Sequence, residues 1–133
     1  MALSVVILAA GQGKRMHSQS PKVLQRLAGK TLLEHVVQTT EKLENAHPPF
    51  IVYGHQGERV RNALSHLNVT WVLQSKQLGT GHALQQALPH ISSEGRVLVL
   101  YGDVPLTSLE TMKKLIASVP SSAVVMLTVV FPD

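Results

Sequence analysis

Apolar runs of strand length alternate with segments of helical period along this chain of 133 residues. Right-handed βαβ crossovers impose that alternation, because the helices that link the strands of a parallel sheet must cover both its faces. The expected fold is α/β, a Rossmann-like, doubly wound and mostly parallel sheet. Residues 4–9, 50–53, 69–73 and 96–100 supply the first four strands, the last of them of the kind buried on both faces. Thr31-Leu32-Leu33-Glu34 has the spacing of a capping box and should open a helix with Leu33, Val36, Val37 and Thr40 facing inward. Val60, Ala63, Leu64 and Leu67 mark a second helical stripe, Gly79-Thr80-Gly81 precedes a short helix that Pro89 ends, and Leu109, Met112, Leu115, Ile116 and Val119 mark a last one. An apolar run over 123–131 follows.

No repeat or linker divides the chain, so residues 1–133 form one unit. It stops directly after a strand-like run, with no closing helix, and we expect a part of a larger domain.

The glycine-rich stretch Leu8-Ala9-Ala10-Gly11-Gln12-Gly13-Lys14-Arg15-Met16 directly follows the first strand, where open parallel sheets bind ligands. Small residues leave room for a nucleotide. Gly11 and Gly13 permit positive φ, so that successive amides can face phosphate oxygens, and Lys14 and Arg15 add charge. The dinucleotide fingerprint does not fit, since Met16 stands where a third small residue is needed and no acidic residue ends a second strand. The Gly-x-x-x-x-Gly-Lys-Ser/Thr loop is absent. An ordinary turn between strand and helix would account for Gly-x-Gly alone.

Two further segments fall at predicted strand ends. Gln74 closes the third strand five residues before Gly79-Thr80-Gly81-His82-Ala83. This segment resembles the uridylyltransferase version of such a site, which implies that uracil, with an acceptor, a donor and an acceptor along its pairing edge, would pair twice with the Gln74 amide and once with the Gly79 amide. Leu100-Tyr101-Gly102-Asp103-Val104-Pro105-Leu106 closes the fourth strand. Asp103 is the only aspartate before the terminal residue, and Mg²⁺ prefers one or two carboxylates together with phosphate oxygens and water. Taken singly, Gln74 is a polar strand end, Gly79 to Gly81 a helix start and Asp103 a turn residue. A parallel sheet, however, gathers all three segments at one edge.

The combination Leu-Ala-Ala-Gly-x-Gly-x-Arg-Met with Pro21-Lys22 resembles the signature of sugar-1-phosphate nucleotidyltransferases. Gly-Thr-Gly-His-Ala and Leu-Tyr-Gly-Asp-Val-Pro-Leu resemble the branch that uridylylates N-acetylglucosamine 1-phosphate, over about residues 3–130. The resemblance implies the sheet of nucleotide-diphospho-sugar transferases and a reaction of UTP with N-acetylglucosamine 1-phosphate. The products would be UDP-N-acetylglucosamine, a cell-wall precursor, and pyrophosphate. It implies that Arg15, Lys22 and Asp103 act in catalysis and that Asp103 holds Mg²⁺. Leu8, Ala9, Ala10, Gly11, Gly13, Lys22, Gln74, Gly79, Thr80, Tyr101, Gly102 and Asp103 would line the nucleotide. The acceptor-sugar pocket, an asparagine sharing the metal and a trimeric β-helix acetyltransferase domain that uses acetyl-CoA would lie past Asp133. This fragment alone should then be inactive. A cytidylyl-, guanylyl- or thymidylyltransferase of the same fold stays open, with Gln74 and Gly79 to Gly81 as the discriminating residues, and so does a nucleotide-binding regulatory module.

Composition narrows the partners. Of twelve basic residues, Lys14, Arg15, Lys22, Arg26 and Lys30 fall in one stretch, while aromatic residues are 4%. That suits a compact polyphosphate better than a nucleic acid. No apolar run approaches the roughly 20 residues of a membrane span, and no basic segment precedes the first strand as in a signal peptide. Cysteine is absent, which excludes disulfides and thiolate metal sites. A cytoplasmic protein is expected. His17, His35, His47, His55, His66, His82 and His90 never show the i, i+4 spacing of a helical zinc site, and surface or capping roles are expected.

Overall fold

The computed structural model describes residues 3–9, 22–43, 47–54, 58–76, 78–91, 96–102 and 108–118. Its main sheet contains β1 (Leu3–Leu8), β4 (Phe50–Tyr53), β5 (Thr70–Leu73) and β6 (Arg96–Tyr101), in the spatial order β5-β4-β1-β6. All three pairings are parallel, with Leu8 opposite Val52 on one side and Tyr101 on the other. The chain thus steps outward from β1 to β4 and β5 and then returns to the opposite side of β1. Such a reversal opens a crevice at the carboxyl ends of the two strands that flank it, here β1 and β6.

Alternate residues of β1 face opposite layers. Leu3, Val5, Ile7 and Ala9 join Leu33, Val36 and Val37 of α1 (Leu32–Thr40), Val60 of α2 (Glu58–Ala63) and Met112 of α4 (Leu109–Ala117). Val6 and Leu8 join Val52, Val72 and Ala83 and Ala87 of α3 (Thr80–Ala87) on the other face. The doubly wound arrangement is therefore present. Val5, Val6, Ile7, Ile51 and Val52 are fully buried, and burying each such side chain stabilises the fold by about 1.5–3 kcal/mol.

Thr31 caps α1 as its spacing predicts. Its Oγ1 accepts from the Glu34 amide at 3.1 Å, and the Glu34 carboxylate accepts from the Thr31 amide at 3.3 Å. The inward residues of α1 are the four expected. Ser108 likewise caps α4 by accepting from the Thr111 amide.

Two expectations require correction. Ala63 is exposed where α2 ends, whereas Val60 and Leu64 are buried and Leu67 packs partly buried against the same core. The strand β6 is not buried on both faces: Leu98 and Leu100 point into the core, whereas Val97 and Val99 are exposed. In register these two lie opposite Ser4 and Val6, on the face that carries α3, and α3 packs over β1 and β4 instead.

A hairpin that the sequence analysis did not anticipate precedes α1. Strands β2 (Arg26–Leu27) and β3 (Lys30–Thr31) pair antiparallel across Ala28 and Gly29, which have φ of 54° and 83°. Positive φ at both central residues is the type I′ geometry that matches strand twist. Arg26 donates to the Gly29 carbonyl at 2.9 Å, and the His35 Nε2 donates to the Leu27 carbonyl. Val119 and the apolar run over 123–131 lie outside the described residues.

Candidate functional site

The three segments that carry the chemistry converge at the carboxyl edge of the sheet, because each leaves its strand while still bonded to a neighbour. The Ala9 amide donates to the Val52 carbonyl at 2.8 Å, the Gln74 amide to that of Tyr53 at 2.7 Å, and the Gly102 amide to that of Leu8 at 3.0 Å. Ala9 and Gly102 therefore flank the crevice between β1 and β6, and Gln74 stands two strands away on the same edge. Leu8 and Ala9 are core residues. Tyr101 is half exposed.

Lys22 opens a single 3₁₀ turn, Lys22–Leu24. The next residue, Val23, is buried. A Cβ placed on Gly102 would lie 3.3 Å from Val23 Cγ1 and 3.1 Å from Leu33 Cδ1. The turn therefore sits against the end of β6, and Lys22 belongs to the same edge as Gly102. A side chain at position 102 would press on these two methyl groups, which would have to give by a few tenths of an ångström to admit it.

The helix α3 begins at Thr80, with Gly79 as its N-cap at φ 101°. Only glycine takes that conformation readily. The turn brings the Gly79 carbonyl back over Gln74, whose side chain is 2% exposed, a degree of burial that few glutamines tolerate without partners. Gln74 Nε2 donates to the Gly79 carbonyl at 3.2 Å and approaches His82 Nδ1 at 2.9 Å. An amide nitrogen carries two hydrogens; the Gly79 carbonyl takes one, and the His82 ring nitrogen lies within reach of the other.

His82, for which a surface or capping role is expected, is half-buried with its Nδ1 2.9 Å from Gln74 Nε2. Its position three residues after Gly79, in the first turn of a helix that starts beside Gln74, was the available signal. Among the described residues no group of three or more His, Cys, Asp or Glu side chains could hold a metal ion. No helix among them is long and apolar enough to cross a membrane. Ala10, Gly11, Gly13, Arg15 and Asp103 lie outside the described residues, as do His17 and His55. In sequence the glycine loop begins immediately after Ala9, and Asp103 immediately follows Gly102.

A parallel sheet with helices on both faces and a switch point between β1 and β6 is the doubly wound α/β arrangement, which places ligands at the carboxyl ends of its strands. The chain belongs to the MobA-like NTP transferase domain family, whose pattern matches residues 5–131. It is 55% identical, over 98% of its length, to the bifunctional protein GlmU of Nitrosospira multiformis, and spans 28% of that protein. A nucleotidyl transferase from Methanothermobacter has the same fold, with a TM-score of 0.76 at 24% identity, over 88% of this chain and 57% of its own. So does the 4-diphosphocytidyl-2C-methyl-D-erythritol synthase of Anaerococcus prevotii, with a TM-score of 0.68 at 20% identity, over 88% and 50%.

Proposed function

We propose that this chain forms the nucleotide-binding part of a uridylyltransferase that joins UTP to N-acetylglucosamine 1-phosphate. The observation that carries the proposal is the gathering of Ala9, Lys22, Gln74, Gly79 and Gly102 at one sheet edge. The 55% identity to a GlmU protein supports the sugar and the base. A phosphate oxygen of the sugar phosphate attacks the α-phosphorus of UTP, and the bond from that phosphorus to the α–β bridging oxygen breaks, so that this oxygen leaves as a terminal oxygen of pyrophosphate. Arg15 and Lys22 neutralise the charge that builds on the departing pyrophosphate. The acceptor phosphate is already ionised, so no general base is required.

Asp103 suits Mg²⁺, since a lone carboxylate beside a triphosphate is the donor set this hard cation prefers. When bound, the cation supplies further neutralisation of phosphate charge. Ala10, Gly11 and Gly13 would bind the phosphates through backbone amides, with Leu8, Thr80 and Tyr101 at the edges of the nucleotide. The parent protein, of which the chain covers a small part, would supply the acceptor-sugar pocket. It would also acetylate glucosamine 1-phosphate with acetyl-CoA, form a trimer and act in the cytoplasm. Residues 1–133 alone would bind UTP without turnover.

The fold itself does not choose the base, since a cytidylyltransferase shares it. The test is pyrophosphate release by the full-length protein with each nucleoside triphosphate and a panel of sugar 1-phosphates. UTP with N-acetylglucosamine 1-phosphate should exceed every other pair and should require a divalent cation. A preference for CTP would sink the reading.

A further inference from the structure

We propose that His82 is a positioning residue for base choice. Its Nδ1, together with the Gly79 carbonyl, holds the Gln74 amide in the one orientation that turns an acceptor toward the base. The inference rests on the reading above, that Gln74 faces the pyrimidine.

A glutamine amide has two orientations of nearly identical shape and opposite hydrogen-bond character. What distinguishes them is the set of neighbours. Here the nitrogen lies 3.2 Å from the Gly79 carbonyl oxygen and 2.9 Å from His82 Nδ1. The Gly79 oxygen is an acceptor in every state, and it also takes the Ala83 amide at 3.0 Å. Turning the amide over would set oxygen against oxygen at that contact. With the nitrogen so held, its second hydrogen points to Nδ1, and His82 must carry its own proton on Nε2. Gln86 Nε2 gives one hydrogen to the His82 carbonyl at 3.2 Å and turns its other toward Nε2 at 3.3 Å, so the two glutamines compete for the ring's one lone pair, and the shorter contact, 2.9 Å at Nδ1, assigns it to Gln74.

The consequence is chemical selectivity without a change of shape. Uracil bears a hydrogen on N3, whereas the N3 of cytosine is a lone-pair acceptor. A fixed Gln74 carbonyl oxygen accepts from the first and repels the second. Were His82 to present Nδ1–H instead, the amide would be drawn into the reverse orientation and the preference would move toward cytosine. Burial strengthens both effects, because an unmade bond inside the protein is not replaced by water.

The experiment uses the full-length protein and compares kcat/KM for UTP and CTP in wild type, His82→Ala, His82→Asn and Gln74→Leu. Asparagine places an acceptor near the position of Nδ1. His82→Ala should lower the UTP to CTP ratio about tenfold or more, mainly through KM for UTP, and His82→Asn should recover most of it. Equal slowing with both nucleotides in His82→Ala would mean a merely structural role and overturn the proposal. If Gln74→Leu changes the ratio while His82→Ala does not, only the assignment of His82 fails. If neither changes it, Gln74 does not face the base and both readings fall. Independently of any variant, nitrogen NMR of the wild-type imidazole should show a protonated Nε2 and a bare Nδ1. The opposite tautomer would overturn the proposal.

Discussion

The backbone amide of Gly102 donates to the carbonyl of Leu8 at 3.0 Å, which ties the end of β6 to the end of β1 at the switch point of the strand order. A side chain at 102 would crowd its neighbours there. A methyl group would meet Leu33 Cδ1 at 3.1 Å, Val23 Cγ1 at 3.3 Å and Ile7 Cγ2 at 3.5 Å. Gly102→Ala is therefore expected to cost about 1–3 kcal/mol through overpacking. It should also weaken UTP binding, since Val23 precedes the crevice by one residue on the Lys22 side. A denaturant titration that leaves the midpoint unmoved would contradict this account of the edge.

Thr31 makes both halves of a reciprocal cap and is itself buried. Thr31→Ala should destabilise the domain by about 1 kcal/mol, whereas Thr31→Ser should keep most of the cap. Thermal melts of the two variants check this, and equal loss in both would assign the effect to the methyl group.

Ala28 sits at φ 54°, in the first central position of the hairpin turn. An alanine there costs on the order of 1 kcal/mol that asparagine largely avoids. Ala28→Asn is expected to raise the melting temperature without altering kcat. A lowered melting temperature would show that the turn prefers another geometry in solution.

Gln74→Glu replaces a buried donor with a carboxylate oxygen facing the Gly79 carbonyl and His82 Nδ1. Loss of stability of about 1–3 kcal/mol is expected, together with a rise in KM for UTP. The two effects are separable by measuring UTP binding well below the melting temperature. Unchanged affinity would remove Gln74 from the base site.

Arg15→Ala in the full-length protein should reduce turnover by about 100-fold while leaving the melting curve in place, since the cation acts on charge that develops in the transition state. Near-normal turnover would reject the role given to Arg15.

The sequence analysis located the elements best where one local signal sufficed. The strand Phe50–Tyr53 and the capped start of α1 matched to the residue. It failed where position within the sheet decides the outcome. The run 97–100 is apolar throughout, yet two of its four side chains, Val97 and Val99, are exposed because β6 pairs with β1 and extends past the cover of α3. The hairpin escaped notice because alanine is an unusual occupant of a positive-φ position. At the candidate site, Gln74, Gly79 and Gly102 were legible as positions. The hydrogen count around Gln74 was not, since it depends on a helix turn folding His82 back onto a side chain eight residues earlier.

The pairing of Leu8 with Tyr101 spans most of the chain. A ribosome must therefore release nearly all of the described sheet before the crevice between β1 and β6 exists. Until then β1 can hold β4 and β5 on one side, leaving its other edge open to whatever strand arrives first. UTP, by binding only the completed crevice, would draw the folding equilibrium toward that last pairing. Cellular nucleotide supply would then act on how much of this domain matures, as well as on how fast it works.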